Sequence, residues 1–386
     1  MKAALLVIGL VLASPARADF TSCVASLKSD AAAQGISAPT LKAAFDGLQP
    51  DRKVLEFETS QPEFKTPIWD YLAALVDDER VADGKAAMQK NASALAKAEE
   101  RFGVSKYVIA AIWGVESDFG REMGERPLVQ SLTTLVCEGS QRPGYFKGEL
   151  MATLKIADRG DIPLSKLNGS WAGAFGQTQF MPSTFLRLAV DLDGSGRDIV
   201  DNAAAALGST GNYLKKSGWT PGEPWGFEVK LPPGYSGPSG RKNKQPMSAW
   251  AARGITRLDG GSLGEGSAGL LLPAGADGPA FLVTHNFDVI YSYNAAESYT
   301  LAIAILAQRL AGGRGIVTPW PTDDPGLSRA ERKELQTLLT KAGYDVGAPD
   351  GAIGAKTKAA IADFEGKHGL KVDGRASGKV LEALRK

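Results

Sequence analysis

The chain has 386 residues, 44% of them hydrophobic and 23% charged, with a formal net charge of +1. That length implies two or three domains with ample core, and the near-balanced charge argues against partners held by bulk charge, nucleic acid above all. Residues 1–18, MKAALLVIGLVLASPARA, have one Lys, a short apolar run and a small-residue ending. This is the build of a secretory signal peptide cut after Ala18, and the run is too short to span a membrane; a buried N-terminal helix is the bland alternative. No later segment is long and apolar enough to anchor the chain, and no Cys stands at the cleavage point to carry a lipid, so a soluble exported protein is expected. Two cysteines remain, Cys23 and Cys137. In an oxidising compartment they most economically form a disulfide tying the N-terminal arm to the region after residue 116, with two buried free thiols as the alternative.

Residues 19 to about 215 read mainly as helices punctuated by Gly and Pro. The helix expected from about Ser105 to Phe119 spaces Val108, Ile112, Val115 and Phe119 into one apolar stripe. Glu116 falls on the edge of that stripe, one turn beyond Ile112 and Trp113. Desolvation there would raise its pKa and suit it to general acid work. Helix position alone equally allows a Glu that caps a neighbouring loop or pairs with Arg121. Farther on, Asp191-Leu-Asp-Gly-Ser-Gly-Arg-Asp198 has the oxygen spacing of a calcium loop, Asp191, Asp193 and Ser195, with Gly at the sixth position. Ser195 replaces an acid and Asn202 stands where a bidentate Glu closes such loops, so any structural calcium would be weakly held; a solvated turn is the alternative.

From about 220 to 290 the texture changes to a small β-containing insertion. GFEVKLP reads as a strand within a Gly/Pro-rich loop, and GLLLP and PAFLVTHN read as strands around AGADG. A buried helix returns from Tyr299 to Leu310, and the Pro-rich residues 318–325 read as a stiff linker. Residues 326–386 then form a separate module of three helices broken by Asp-Gly turns at Asp350-Gly351 and Asp373-Gly374, opened by a Ser328-x-x-Glu331 capping box. The fold class is therefore mainly α with a small β insertion. Its chemistry is narrowed by what is missing: the two histidines, His285 and His368, fall in different domains, and neither a G-x-S-x-G elbow nor a phosphate loop is present. Zinc-site and Ser-His-Asp chemistry would both rest on His285 alone, which leaves carboxylate chemistry.

The string Gly114-Val-Glu-Ser-Asp-Phe-Gly120, followed by Gly173-Ala-Phe-Gly-Gln-Thr-Gln-Phe-Met-Pro-Ser183, resembles the lytic murein transglycosylases of the membrane-bound lytic transglycosylase B family over about residues 20–312. The resemblance implies a lysozyme-like helical domain over 19–317 that cuts the β-1,4 bond between N-acetylmuramic acid and N-acetylglucosamine in periplasmic peptidoglycan, with Glu116 as its single catalytic glutamate. No cofactor is required by such a reaction, and a monomer acting on glycan strands is expected. The second motif would contribute Ser170, Gln179, Phe180 and Met181 to sugar binding, and the resemblance adds Tyr71, Tyr213, Tyr293, Asn294 and Tyr299. The last sixty residues resemble a three-helix peptidoglycan-binding domain, a tethered wall binder that would raise local substrate concentration. Glycoside hydrolysis usually takes two carboxyl groups. Asp118, two residues from Glu116, faces elsewhere on the helix and is a weak second partner, whereas a lytic transglycosylase needs none: the substrate's acetamido group and C6 hydroxyl do that work. Two rival readings remain at this point, a muramidase of the same fold that delivers water, and a non-catalytic wall-binding scaffold.

Overall fold

The structure, a computed structural model, describes residues 20–58 and 66–386, so the expected signal peptide lies outside the described residues. The protein is mainly helical, as its composition implies, with one five-stranded sheet and one two-stranded ribbon, Arg126–Pro127 against Asn168–Gly169, among the described residues. Two cores make up the helical body. One surrounds the Lys106–Ser117 helix and the Glu297–Leu310 helix packed beside it. Both helices are apolar nearly all round, which suits a central position and explains why periodicity alone understates their burial. The second core gathers Leu132, Leu150, Phe146, Phe175 and Phe185 around the Leu128–Cys137 and Pro143–Asp158 helices. Tyr213 and Tyr293 pack against both cores and join them.

The insertion carries strands in the spatial order Gln245–Pro246, Ser267–Leu271, Ala280–Val283, Gly226–Lys230, Thr256–Arg257, every pair antiparallel. Side chains alternate across a strand. Leu271, Phe281 and Val283 enter the first helical core, and Ala268, Leu270, Ala280 and Leu282 enter a small core of the insertion with Trp250. Two-sided burial is the reason GLLLP and AFLV show no polar alternation. One segment departs from the sequence reading. Val283 ends its strand, and His285–Tyr291 is helical rather than the strand's continuation. Asn286 fixes that turn, accepting from the Thr220 N–H (2.8 Å) and donating to the carbonyls of Thr220 (2.8 Å) and Glu223 (2.7 Å). Met247–Ala252, just after the Gly/Pro-rich stretch, is a short helix whose Trp250 is fully buried.

The C-terminal module has the expected helices, Arg329–Lys341, Ala355–Lys367 and Gly378–Leu384, around Leu335, Leu339, Ile361 and Phe364. Both halves of the Ser328–Glu331 capping box are made. The linker is not a free spacer. Trp320 packs on the first helical core with its ring 6.4 Å from that of Trp69, and Asp324 accepts from Arg375 Nη1 at 2.7 Å. Cys23 and Cys137 are bonded, their Cα atoms 5.8 Å apart, and the bond ties the Phe20–Ala33 helix to the end of the Leu128–Cys137 helix. Closing a loop of this length restricts the unfolded chain; replacing both cysteines by serine is expected to lower unfolding free energy by roughly 2–4 kcal/mol. An unchanged urea midpoint in the double variant would contradict that role for the bond.

Candidate active site

The Lys106–Ser117 helix buries Val108, Ile109, Ala110, Ala111, Ile112, Trp113 and Gly114 before it reaches Glu116. It ends abruptly. Asp118 and Phe119 both adopt left-handed backbone, φ 50° and 60°, a conformation strained for residues other than glycine. The double turn folds Phe119 back against its own helix, its ring edge-on to Trp113 at 5.6 Å. Gly114 makes the return possible, because a Cβ there would stand 2.5 Å from the Phe119 ring. Ser117 then bridges the two sequence motifs: its hydroxyl donates to the Gln177 carbonyl at 2.5 Å and accepts from the Gly120 N–H at 2.9 Å.

Glu116 projects from this last turn into an open cleft of about 380 Å³ lined also by Thr66, Asp70, Tyr71, Ala74, Leu75, Val115, Asn294 and Tyr299. One carboxylate oxygen accepts from the Tyr299 phenol at 2.5 Å. Burial pushes the Glu116 carboxyl up from 4.5 to about 7, and the phenol's hydrogen bond to the charged form offsets part of that rise. Tyr299 and Tyr293 are driven well above 10, first by burial and then by the nearby Glu116 charge, so both stay phenols and Tyr299 stays a donor. Glu149 and Glu365, deeply buried elsewhere, differ in having backbone N–H donors: Glu149 accepts from Ser183 and Glu365 from Asp373 and Gly374. Arg121, the alternative partner for Glu116, pairs instead with Asp83 and Asp118.

Among the described residues, no second carboxyl is available for chemistry beside it. Asp70 is the other acid lining the cleft, and Arg375 grips both its oxygens at 2.5 and 2.6 Å. Asp118 lies among three guanidinium groups, with Arg80 at 3.2 Å, Arg121 at 2.8 Å and Arg329 at 3.1 Å. The histidines are structural: His285 meets the Gly218 carbonyl through Nε2, and His368 meets the Phe364 carbonyl through Nδ1 while stacking on the Phe364 ring.

Of the sugar-binding residues expected from the motifs, Tyr71, Asn294 and Tyr299 line the cleft with Glu116. Phe180, Tyr213 and Tyr293 are not among its lining residues; they form a cluster of tilted rings, with Tyr213 and Tyr293 rings 4.7 Å apart and Phe180 6.0 Å from each. Phe180 is buried at 2% exposure. The Tyr213 hydroxyl donates to the Ser292 carbonyl and that of Tyr293 to the Thr178 carbonyl, and Tyr293 lies close enough to Glu116 to feel its charge. Ser170 accepts from the Ala174 N–H at 3.1 Å and holds the turn of the second motif. Gln179, itself left-handed at φ 49°, donates through Nε2 to the carbonyls of Met123 (3.0 Å) and Gly176 (2.8 Å). Both its N–H groups are engaged, which leaves its carbonyl oxygen as the free polar atom. Met181 is half-buried just before the Pro182–Leu188 helix. The sequence reading missed Ala74, Leu75 and Asp70; Ala74 and Leu75 follow Tyr71 by three and four residues along the Ile68–Leu75 helix and Asp70 precedes Ala74 by four, and that spacing was the signal.

The loop at 191–198 is held by its own hydrogen bonds. Asp191 Oδ1 accepts from the N–H groups of Asp193 and Gly194, Asp193 Oδ1 accepts from the Ser195 N–H and hydroxyl, and Asn202 donates to Ser195 Oγ at 2.6 Å. These bonds use one oxygen of each carboxylate, and among the described residues no three acidic, His or Cys side chains converge as ligands.

Residues 19–308 match the transglycosylase SLT domain and residues 328–384 match a peptidoglycan binding domain. The chain is 34% identical over 246 residues to membrane-bound lytic murein transglycosylase B of Escherichia coli K12, covering 63% of this chain and 67% of that one. It is similar to the crystal structure of SltB3 from Pseudomonas aeruginosa in complex with NAG-anhNAM-pentapeptide, at 43% identity and a TM-score of 0.76 over 95% of this chain and 99% of the other. It is also similar to the Escherichia coli lytic transglycosylase Slt35 in complex with calcium, at 31% identity and a TM-score of 0.66 over 75% and 92%. The fold is the lysozyme-like one expected, with a helical C-terminal module.

The Tyr299 bond gives a direct test of the cleft's electrostatics. In carboxyl-labelled protein Glu116 is expected to titrate near pH 7 by nuclear magnetic resonance, and Tyr299→Phe, which removes a donor to the charged form, should move that titration upward. A downward move in Tyr299→Phe would contradict this account.

Proposed function

Since the chain belongs to the transglycosylase SLT domain family and is a lytic transglycosylase acting on peptidoglycan, we propose that Glu116 alone drives cleavage, first as general acid and then as general base. The supporting observation is a cleft with one carboxyl poised near neutral pH and the other acid among its described residues, Asp70, held by an arginine. In the first step the protonated Glu116 gives its proton to the bridging oxygen as the bond from muramic acid C1 to that oxygen breaks. The N-acetylglucosamine side leaves with its 4-hydroxyl restored, and the substrate's acetamido group stabilises the oxocarbenium-like centre. In the second step Glu116 takes the proton of the C6 hydroxyl as O6 bonds to C1. The proton is back on Glu116, no water is consumed and the product ends in 1,6-anhydromuramic acid.

The same reading explains the apolar surroundings. A carboxyl near 4.5 would already be ionised at neutral pH and could not start the reaction, whereas one near 7 has comparable populations of acid and base. Tyr299 orients the carboxyl and steadies its charged form between the steps. Tyr71 and Asn294 are placed to meet sugar faces and edges. We also read residues 1–18 as the leader that exports the chain to the periplasm, where the Cys23–Cys137 bond forms.

Glu116→Gln should lower turnover by roughly 10²–10⁴-fold. Wild-type digests should yield anhydromuramyl ends by mass spectrometry, while reducing muramic ends alone would establish a hydrolase instead. Because the first step needs the protonated form, kcat/KM should fall as pH rises through about 7 and show no loss from this group below that value. N-terminal sequencing of protein recovered from the periplasm should begin at Asp19; an intact Met1 there would refute the leader.

A further inference from the structure

The C-terminal module is bound to the walls of the catalytic cleft, and it is bound through charge. Arg329, the first residue of its first helix, reaches Asp118 Oδ1 at 3.1 Å and Asp83 Oδ2 at 3.3 Å, while its backbone N–H donates to Asp77 Oδ2 at 3.0 Å. Lys333, one turn on, pairs with Glu79 at 3.3 Å. At the other wall Arg375 forks onto Asp70, and Gly326 lies so close to that residue that a Cβ would stand 2.5 Å from the Asp70 Cα. The two arginine pairs are not loose surface pairs: the Arg329 and Asp118 side chains are 15% and 13% exposed, and those of Arg375 and Asp70 are 23% and 13%, whereas Lys333 and Glu79 are more exposed.

Both acids stand next to cleft residues. Asp118 is two residues beyond Glu116 and caps its helix in a left-handed conformation that persists only where the surroundings hold it. Arg80 couples this cap to the helix itself, donating to the Gly114 carbonyl and pairing with Asp118. Asp70 precedes Tyr71 on the Ile68–Leu75 helix. We propose that Arg329 and Arg375 are positioning residues for catalysis: the module sets the last turn under Glu116 and the helix bearing Tyr71, in addition to any hold it has on the cell wall. This rests on Glu116 being the catalytic acid. The ordering of the two walls is a contribution to kcat, because it is needed when bonds change, whereas wall binding by the module contributes to KM on sacculi.

The test measures kcat and KM separately on soluble glycan-strand fragments with the full-length chain. Arg329→Ala and Arg375→Ala should each lower kcat by about tenfold with KM changed less than about twofold. Arg329→Lys, which keeps the charge and loses the fork, should fall between wild type and Arg329→Ala. Arg385→Ala, which breaks an exposed pair with Glu334 inside the module, should match wild type. Circular dichroism and melting temperature report folding; should Arg329→Ala unfold, Arg329→Lys and Arg375→Ala decide the matter. Folded variants with wild-type kcat, or with losses confined to KM on sacculi, would overturn the positioning role. Glu116→Gln in the same assay separates the two readings: wild-type turnover there defeats the catalytic assignment, whereas an inactive Glu116→Gln beside fully active arginine variants defeats only the positioning.

Discussion

The structure turns on keeping one carboxyl out of water while leaving it able to touch substrate. A glutamate in solution gives up its proton near 4.5, and Glu116 holds it to about 7 because the helix beneath it is apolar almost without interruption. The central position of the Lys106–Ser117 helix, the return of Phe119 over Gly114 and the packing of the Glu297–Leu310 helix all keep hydrocarbon packed beneath it. A single hydrogen bond from Tyr299 is the polar counterweight, enough to orient the group without holding it ionised.

Two carboxyl groups two residues apart meet opposite surroundings. Glu116 faces hydrocarbon and a phenol, and Asp118 faces three guanidinium groups. Two residues of helix already turn the side chains apart, and the left-handed turn at Asp118 and Phe119 ends the helix where Asp118 meets those guanidinium groups. Strain in this short segment is therefore tied to a division of labour, with one acid kept reactive and the other committed to holding the helix end.

Much of this was legible in the sequence because it is local or periodic. The apolar stripe placed Glu116 at a half-buried edge, the Ser328–Glu331 box and the Asp-Gly turns marked the module's helices, and two cysteines sufficed for one bond. The rest was hidden for physical reasons. Residues 280–283 show no polar alternation because their strand is buried on both faces, so period gives no measure of where it stops, and the polar Thr284-His-Asn286 that follows reads equally as a strand end or a helix start. Phe180, Tyr213 and Tyr293 carry the same aromatic signature as cleft residues, and only packing shows that they are held against one another. The ion pairs between module and cleft join residues more than two hundred positions apart, and charge pairing at that separation leaves no period to read.

The pinned linker changes what the second domain means for the first. A flexible tether would place the module by chain statistics, so that its benefit would scale with tether length. With Trp320 against Trp69 and Asp324 held by Arg375, that length is not a variable. The module instead stands at a fixed offset from Glu116, and the two domains act as a caliper: a strand engaging both would be registered by distance, not merely retained nearby.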